Sequence, residues 1–168
     1  MSNFDETVPY DAATWGVNGR RLEFASPLRR RKNGVLLKGL VVNSDEPVRR
    51  KLAEILGESG IAPIFASSVA ECEIALAGHE VCIALCNDWL ADGNYEDIVE
   101  LVGRSDTRVP VIVVSRTGDW PEYLTAISAG AFDYLAYPPI AGDLQRIVRN
   151  ALGWSIGGKE TSKAPESL

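Results

Sequence analysis

The fold of this chain is decided by one stretch of sequence, Gly39-Leu40-Val41-Val42-Asn43-Ser44-Asp45-Glu46-Pro47-Val48-Arg49. Residues 40–42 form a short apolar run typical of a buried strand, and Pro47 suits the first turn of a helix. Between them stand Asn43 and Ser44, which are neutral, at a strand end where sites for phosphate and metal usually carry acids. The stretch therefore predicts a strand that runs into a helix, with the neutral residues Asn43 and Ser44 at the strand end.

Length and composition predict a single acidic domain. The 168 residues, 46% of them hydrophobic, are enough for one core. The net charge is −6, and residues 34–153 hold nine basic and 17 acidic residues, so the part predicted to fold is the acidic part. This balance argues against nucleic acid binding by the folded domain. No window approaches the roughly 20 apolar residues of a membrane span, and we expect a cytoplasmic protein without a membrane partner.

From residue 35 onward, short apolar runs alternate with helical stretches, as in repeated βα units that form a parallel sheet covered on both faces. The predicted strands are residues 40–42, 61–65, 81–86, 110–114 and 132–135. The predicted helices run from Pro47 to Gly60, from a capping box at Ser68 and Glu71 toward Gly78, through residues 98–102, from Asp119 to Gly130, and over residues 143–152. The sequence thus predicts an α/β fold with a doubly wound, five-stranded parallel sheet and five helices.

The segments on either side of residues 35–153 lack this periodicity. Residues 1–34 end in a basic run, Arg29 to Lys32, and are expected to form a flexible arm. The run is open to two interpretations, a solvated tether or a contact for nucleic acid, anionic lipid or an acidic partner. Residues 154–168 are polar and are expected to be a disordered tail. This tail is too short to fold alone, so no output domain is expected there.

Three cysteines and one histidine are poor candidates for metal or redox chemistry. Cys82 and Cys86 are four residues apart on a predicted strand, roughly 13 Å, which is too far for a disulfide or a shared metal. With Cys72 they are expected to be reduced, buried thiols of a cytosolic protein. His79 follows Gly78 in a predicted loop and has no second ligand at a suitable spacing. No metal site is predicted.

Ligand sites of doubly wound sheets form at the carboxyl ends of the strands, near the point where the strand order reverses. The residues predicted there are Asn43, Ser44, Asn87, Asp88, Ser115, Arg116, Tyr137 and Pro138. Trp89 and Trp120 are predicted on the loops that rim this edge. Each would either anchor an interface or pack against a neighbouring loop.

Four motifs resemble the receiver domain of response regulators in two-component signalling, over roughly residues 36–153. They are Val41-Val42-x-x-Asp45-Glu46-Pro47-Val48-Arg49, Leu90-x-Asp92-Gly93, Pro110-Val111-Ile112-Val113-Val114-Ser115 and Ala129-Gly130-Ala131-Phe132-Asp133-Tyr134-Leu135. The resemblance implies a flavodoxin-like sheet of order 2-1-3-4-5. It also implies an aspartate after strand three that accepts a phosphoryl group from a histidine kinase, with Mg²⁺ held by that aspartate and an acidic pair after strand one. A hydroxyl after strand four and a lysine after strand five then contact the phosphoryl group.

Carried over residue by residue, most of these positions hold neutral side chains. The acidic pair falls on Asn43 and Ser44, the acceptor on Asn87 and the lysine on Tyr137; the hydroxyl is retained on Ser115. A carboxamide cannot form an acyl phosphate, and Mg²⁺ prefers anionic oxygens, so no cofactor is expected unless the site is active, in which case it would be Mg²⁺. A neutral Tyr137 also avoids the cost of an unpaired ammonium group.

The acceptor position has an alternative, because Asp88 follows Asn87 directly and a one-residue slip turns each side chain to the other face. Asn87 is favoured since Leu90 and Ala91 then fall where the family has its Leu/Met-Pro pair. A bulge would instead bring Asp88 inward as a working acceptor. Without a bulge, Asp88 is a solvated loop carboxylate.

Two further positions belong to the family's switch. Tyr134 falls on the aromatic residue whose rotation, together with the hydroxyl, reports phosphorylation. The alternative is an ordinary strand aromatic with its hydroxyl in solvent. Pro138 follows the lysine position, where the resemblance implies a cis peptide bond.

The function predicted from these residues is that of a stand-alone pseudo-receiver in phosphorelay signalling, a binding module and not an enzyme. It would act without phosphorylation, by binding a histidine kinase or an output protein through helix four, strand five and helix five. Two alternatives stay open, a functional phosphoacceptor that uses Asp88 and a pocket that binds a small ligand.

Overall fold

The structure is a computed structural model that describes residues 31–32, 35–105, 108–140 and 142–157. The predicted arm and tail, including Arg29 and Arg30 of the basic run, otherwise lie outside the described residues. Within the described part, no helix is both long and apolar enough to cross a membrane.

Five parallel strands form one sheet at the centre of the molecule. In chain order they are β1 (Lys38–Val42), β2 (Ala62–Ala66), β3 (Val81–Asn87), β4 (Val111–Ser115) and β5 (Asp133–Ala136). They lie in the order β2-β1-β3-β4-β5, and every neighbouring pair is parallel. The predicted fold class and strand order are confirmed.

Five helices connect and flank the strands. They are α1 (Glu46–Glu58), α2 (Val69–Gly78), α3 (Tyr95–Gly103), α4 (Trp120–Ala129) and α5 (Asp143–Gly157). Helices α2, α3 and α4 pack on one face of the sheet, and α1 and α5 pack on the other. Because both faces are covered, residues of the central strand β3 are buried on both sides of the sheet, Val81, Ala84 and Cys86 on one side and Ile83 and Leu85 on the other, which explains its continuous apolar run.

Some boundaries differ from those predicted. Helix α5 continues to Gly157, five residues beyond the predicted end at residue 152. Two short antiparallel pairs also form, Arg31–Lys32 with Val35–Leu36 and Trp89–Leu90 with Gly93–Asn94. Strands of two residues show no measurable periodicity, so pattern reasoning could not predict them.

The helix starts show one prediction that was only partly right. Ser68 accepts a hydrogen bond from the backbone N–H of Glu71, as a capping box requires. The Glu71 carboxylate, however, accepts from the backbone N–H and the hydroxyl of Ser67, one residue before the cap. The complete capping box lies at α3, between Asn94 and Asp97.

We expect Asn94→Ala to lower the free energy of unfolding by about 1 kcal/mol. Its side chain accepts from the N–H of Glu96 at 2.8 Å and caps α3. Urea unfolding followed by circular dichroism measures the loss. Asn150→Ala, at an exposed position inside α5, is the control and should change stability by less than about 0.5 kcal/mol. Equal losses in both variants would refute the capping role.

Candidate functional site

The predicted strand-end residues meet at the carboxyl edge of the sheet. Strand β1 is followed by Asn43, β3 ends at Asn87, β4 ends at Ser115, and Tyr137 directly follows β5. Since all five strands are parallel, these ends share one edge, and β1 and β3 are adjacent where the strand order reverses. This is the position at which such sheets build their sites.

Asn43 shapes the loop after β1. It is 3% exposed, and its side-chain carbonyl accepts the backbone N–H of Asp45 at 2.8 Å. Its own backbone N–H donates to the carbonyl of Ala66 at 2.9 Å. Ser44 is exposed beside it. The side-chain oxygen of Asn43 is therefore already used by the chain.

Asp45 is the only acid in this loop, and it too is engaged. Its carboxylate caps α1 by accepting from the backbone N–H of Val48 at 3.4 Å, and it forms an ion pair with the guanidinium of Arg116. Arg116 belongs to the loop after β4, so the ion pair joins two loops of the carboxyl edge. Arg116 is largely exposed, and such a pair stabilises the fold by at most about 1 kcal/mol.

The pairing of β3 with β4 determines which side chain at the end of β3 reaches the hydroxyl of Ser115. Asn87 pairs with Val114 in the ladder, so the next residue, Asp88, stands level with Ser115. One carboxylate oxygen of Asp88 accepts from the Ser115 hydroxyl at 2.6 Å, and the other accepts from the N–H of Trp89 at 3.1 Å. Asn87 instead donates its amide to the carbonyl of Trp89 at 2.8 Å.

The interpretation of Asp88 as a solvated loop carboxylate is therefore wrong. Asp88 is half-buried and bonded to Ser115. That interpretation followed from assigning the acceptor position to Asn87 by its distance to Leu90 and Ala91, whereas the pairing of Asn87 with Val114 puts the following residue, Asp88, opposite Ser115. The geometry favours the alternative that Asp88 occupies the acceptor position.

Beyond Ser115, hydrogen bonds continue to two residues that sequence reasoning missed, Thr117 and Glu122. The hydroxyl oxygens of Ser115 and Thr117 are 3.0 Å apart, and the N–H of Thr117 donates to the Ser115 hydroxyl at 3.2 Å. Thr117 donates to the Glu122 carboxylate at 2.9 Å, and Tyr134 donates to the same carboxylate oxygen at 2.6 Å. The only sequence signal was their closeness to Ser115 and to the start of α4.

The alternative that the Tyr134 hydroxyl lies in solvent is also wrong. Tyr134 is 7% exposed, and its ring meets the edge of Tyr123 at 6.5 Å between centroids. Burial, and secondly the bond to Glu122, raise the pKa of the Tyr134 phenol, while the Tyr134 and Thr117 hydroxyls lower the pKa of Glu122. At neutral pH a neutral phenol thus donates to an ionised carboxylate, which is a strong type of hydrogen bond.

Tyr137 does not face a charged pocket. Its side chain is half-buried against the apolar cluster beneath α1 and α5, and its backbone N–H donates to the carbonyl of Ser115 at 2.7 Å. The peptide bond between Tyr137 and Pro138 is cis, as the resemblance implied. A lysine at this position would reach the site edge, whereas tyrosine adds apolar packing.

The implied Mg²⁺ does not fit these residues. Asn43 and Asp45 are engaged within the chain, Ser44 is neutral, and Asp88 is bonded to Ser115 and Trp89. In the described part of the chain, no group of three or more histidine, cysteine, aspartate or glutamate side chains is placed to hold a metal ion. The donor set is short of the anionic oxygens that Mg²⁺ requires.

The remaining candidates lie elsewhere. His79 caps the end of α2 on the surface, where its Nδ1 lies 3.0 Å from the ammonium of Lys38. Cys72 and Cys86 are fully buried, and burial raises the pKa of Cys72 to about 11 and also raises that of Cys86. Neither thiol is poised for reaction.

Both tryptophans predicted to rim this edge are exposed, but neither lies on a plain loop. Trp89 lies in the short hairpin after β3, and Trp120, the first residue of α4, is 69% exposed. Trp120 stacks on Tyr123 at 5.2 Å between ring centroids. A stacked pair and an edge-on contact between aromatic rings therefore connect the molecular surface to the buried ring of Tyr134.

No protein-family model matches the chain, but curated proteins do. It is 33% identical over 129 residues to the response regulator protein PilR of Pseudomonas aeruginosa, covering 76% of this chain and 28% of PilR. It is 30% identical over 105 residues to the photosynthetic apparatus regulatory protein RegA of Rhodovulum sulfidophilum, covering 62% of this chain and 57% of RegA. The chain spans less than two thirds of the length of either relative.

The fold is also similar to solved structures. A response regulator receiver domain from Clostridium thermocellum superimposes with a TM-score of 0.62 at 25% identity, covering 70% of this chain and 95% of that domain. The likeness thus extends over nearly the whole of an isolated domain.

Proposed function

This chain carries a response-regulator receiver domain, and we propose that it takes part in two-component signalling without itself accepting a phosphoryl group. One observation carries the proposal. The site keeps the switch residues Ser115 and Tyr134, already hydrogen-bonded to carboxylates of the chain, but it has neutral side chains at the metal and lysine positions.

Phosphoryl transfer depends on charge neutralisation, which is supplied by metal ions and cationic side chains. At this site Asn43, Ser44 and Tyr137 supply no charge, and the guanidinium of Arg116 is paired with Asp45. A phosphoryl group on Asp88 would therefore add negative charge at a site whose described residues are not placed to hold a balancing metal ion and whose nearby guanidinium, that of Arg116, is already paired. This argues that the domain works as a pseudo-receiver.

Signalling would then proceed through contacts with another protein. The surface formed by α4, β5 and α5 supports this, because Trp120 and Leu124 of α4 and Ile140 before α5 are exposed apolar side chains. Exposed aromatic and aliphatic groups of this kind are typical anchors of protein interfaces. We propose a histidine kinase or an output protein as the partner, with no nucleic acid or membrane bound by the folded domain.

A phosphoacceptor role for Asp88 is the second candidate function. The observation in its favour is the 2.6 Å hydrogen bond between Asp88 and Ser115, which puts a carboxylate next to the switch hydroxyl. In this role Asp88 would be the nucleophile toward a phosphohistidine or a small phosphodonor.

The intact mass of the protein after incubation with Mg²⁺ and acetyl phosphate tests the proposal. We expect no phosphoryl adduct, while a phosphorylatable receiver domain in the same solution gains one and shows that the donor is active. An adduct on the wild type that disappears in Asp88→Asn would overturn the proposal and establish the second candidate.

A further inference from the structure

The hydrogen bonds around Tyr134 assign a specific task to Glu122. Resting on the proposed function, we propose that Glu122 of α4 is the positioning residue that holds Tyr134 in its buried orientation, so that the switch is set by carboxylates of the chain itself. In this structure carboxylates of the chain, and not a phosphoryl oxygen, accept the hydrogen bonds of the switch residues Ser115 and Tyr134.

The geometry at Glu122 is that of a shared acceptor. One of its carboxylate oxygens accepts from the Tyr134 hydroxyl at 2.6 Å and from the Thr117 hydroxyl at 2.9 Å. Glu122 lies in the first turn of α4, Thr117 in the loop before it, and Tyr134 in β5. The single carboxylate thus fixes β5 and the β4–α4 loop against the start of α4.

Counting protons assigns the direction of the hydrogen bonds to the two carboxylates. A hydroxyl has one proton to donate, and an ionised carboxylate has none. Ser115 gives its proton to Asp88, and Thr117 and Tyr134 give theirs to Glu122. The Ser115 oxygen then accepts from the backbone N–H of Thr117. All three hydroxyls are satisfied by Asp88 and Glu122, so this arrangement needs no further anion.

Aromatic contacts link Tyr134 to the surface of the protein. Tyr134 contacts Tyr123 edge-on, and Tyr123 stacks on the exposed ring of Trp120, two residues before Glu122. A partner that displaces Trp120 would therefore disturb both the aromatic contacts of Tyr134 and the turn that carries its acceptor.

The test replaces Glu122 and follows Tyr134 directly. Protein labelled with 3-fluorotyrosine gives one fluorine resonance for each tyrosine, and Tyr134→Phe identifies the one that belongs to Tyr134. We expect Glu122→Ala to lower the ratio of buried to exposed Tyr134 at least about tenfold, because a hydrogen bond to a charged group is lost. The control is Glu73→Gln, which removes an exposed glutamate from α2 and should leave the resonance unchanged.

Glu122→Gln separates positioning from a merely structural role. It keeps the length of the side chain and one acceptor oxygen but removes the charge, so Tyr134 should remain mostly buried while its phenol ionises at lower pH than in the wild type. Thr117→Val leaves the bond between Tyr134 and Glu122 in place and should leave Tyr134 buried. If Glu122→Ala does not fold, Glu122→Gln still gives the answer through the titration of Tyr134.

A Tyr134 resonance and titration unchanged in all Glu122 variants would overturn the inference. These spectra are recorded without Mg²⁺ or a phosphodonor, so they are independent of the mass measurement. If Glu122→Ala exposes Tyr134 but the wild-type protein accepts a phosphoryl group, only the proposed function is refuted. If the Tyr134 resonance and titration do not change in the Glu122 variants and the wild-type protein accepts no phosphoryl group, only the role of Glu122 is refuted.

Discussion

Replacing Asn43 and Ser44 with aspartate and Tyr137 with lysine is expected to raise the affinity for Mg²⁺ about 100-fold, or about 2.8 kcal/mol. Asp88 already places a carboxylate beside Ser115, so two more carboxylates would complete a set of anionic oxygens of the kind Mg²⁺ prefers. Isothermal titration calorimetry of the wild type and the triple variant measures the difference.

The control for this variant makes the same charge changes, two negative and one positive, at exposed helix positions, as Ser128→Asp and Asn150→Asp with Ala77→Lys. It should leave Mg²⁺ affinity near that of the wild type. Adding Asn87→Asp to the triple variant should give little further gain, because Asp88 and not Asn87 faces Ser115. Equal affinities for the triple variant and the charge control would show that the strand-end positions are wrongly assigned.

Leu85→Ala is expected to lower the free energy of unfolding by about 3 kcal/mol. Leu85 lies in the middle of β3, the central strand, and is completely buried between the sheet and the helices α1 and α5. Truncating the side chain removes buried apolar surface and leaves a cavity. The cavity cannot readily close, because β3 is hydrogen-bonded to a neighbouring strand on each side.

Urea unfolding followed by circular dichroism measures this loss through the transition midpoint, with the slope unchanged. Leu124→Ala is the matched control, since the same atoms are removed from a half-exposed position on α4. It should cost less than about 1 kcal/mol. Losses of similar size in the two variants would contradict the placement of the core.

The sheet could be predicted because its strands carry their own signal. The runs at residues 81–86 and 110–114 are continuously apolar, and a parallel sheet covered on both faces requires this. Pro47 and Gly130 mark helix ends for equally local reasons. Pro47 lacks the N–H that a first turn does not need, and Gly130 adopts φ 108°, which favours glycine.

The site was harder to predict because its contacts depend on how separate elements pair. Whether Asn87 or Asp88 reaches Ser115 depends on the register between β3 and β4, and the apolar pattern of a strand buried on both faces does not fix that register. Thr117 and Glu122 are polar residues in no recognisable sequence motif, so the sequence does not single them out. Their importance follows only from the placement of α4 beside β5.

The most direct test of a switch that is set without phosphate is the amide ¹H–¹⁵N correlation spectrum, recorded with and without Mg²⁺ and beryllofluoride, an analogue of the phosphoryl group. The account predicts unchanged resonances for Asp88, Ser115 and Tyr134, because the described residues include no cluster of three or more ligand side chains placed for a metal ion, and the hydroxyls are already bonded to carboxylates. Saturable shifts of these three resonances on adding both reagents would contradict it and show a receiver that still responds to phosphorylation.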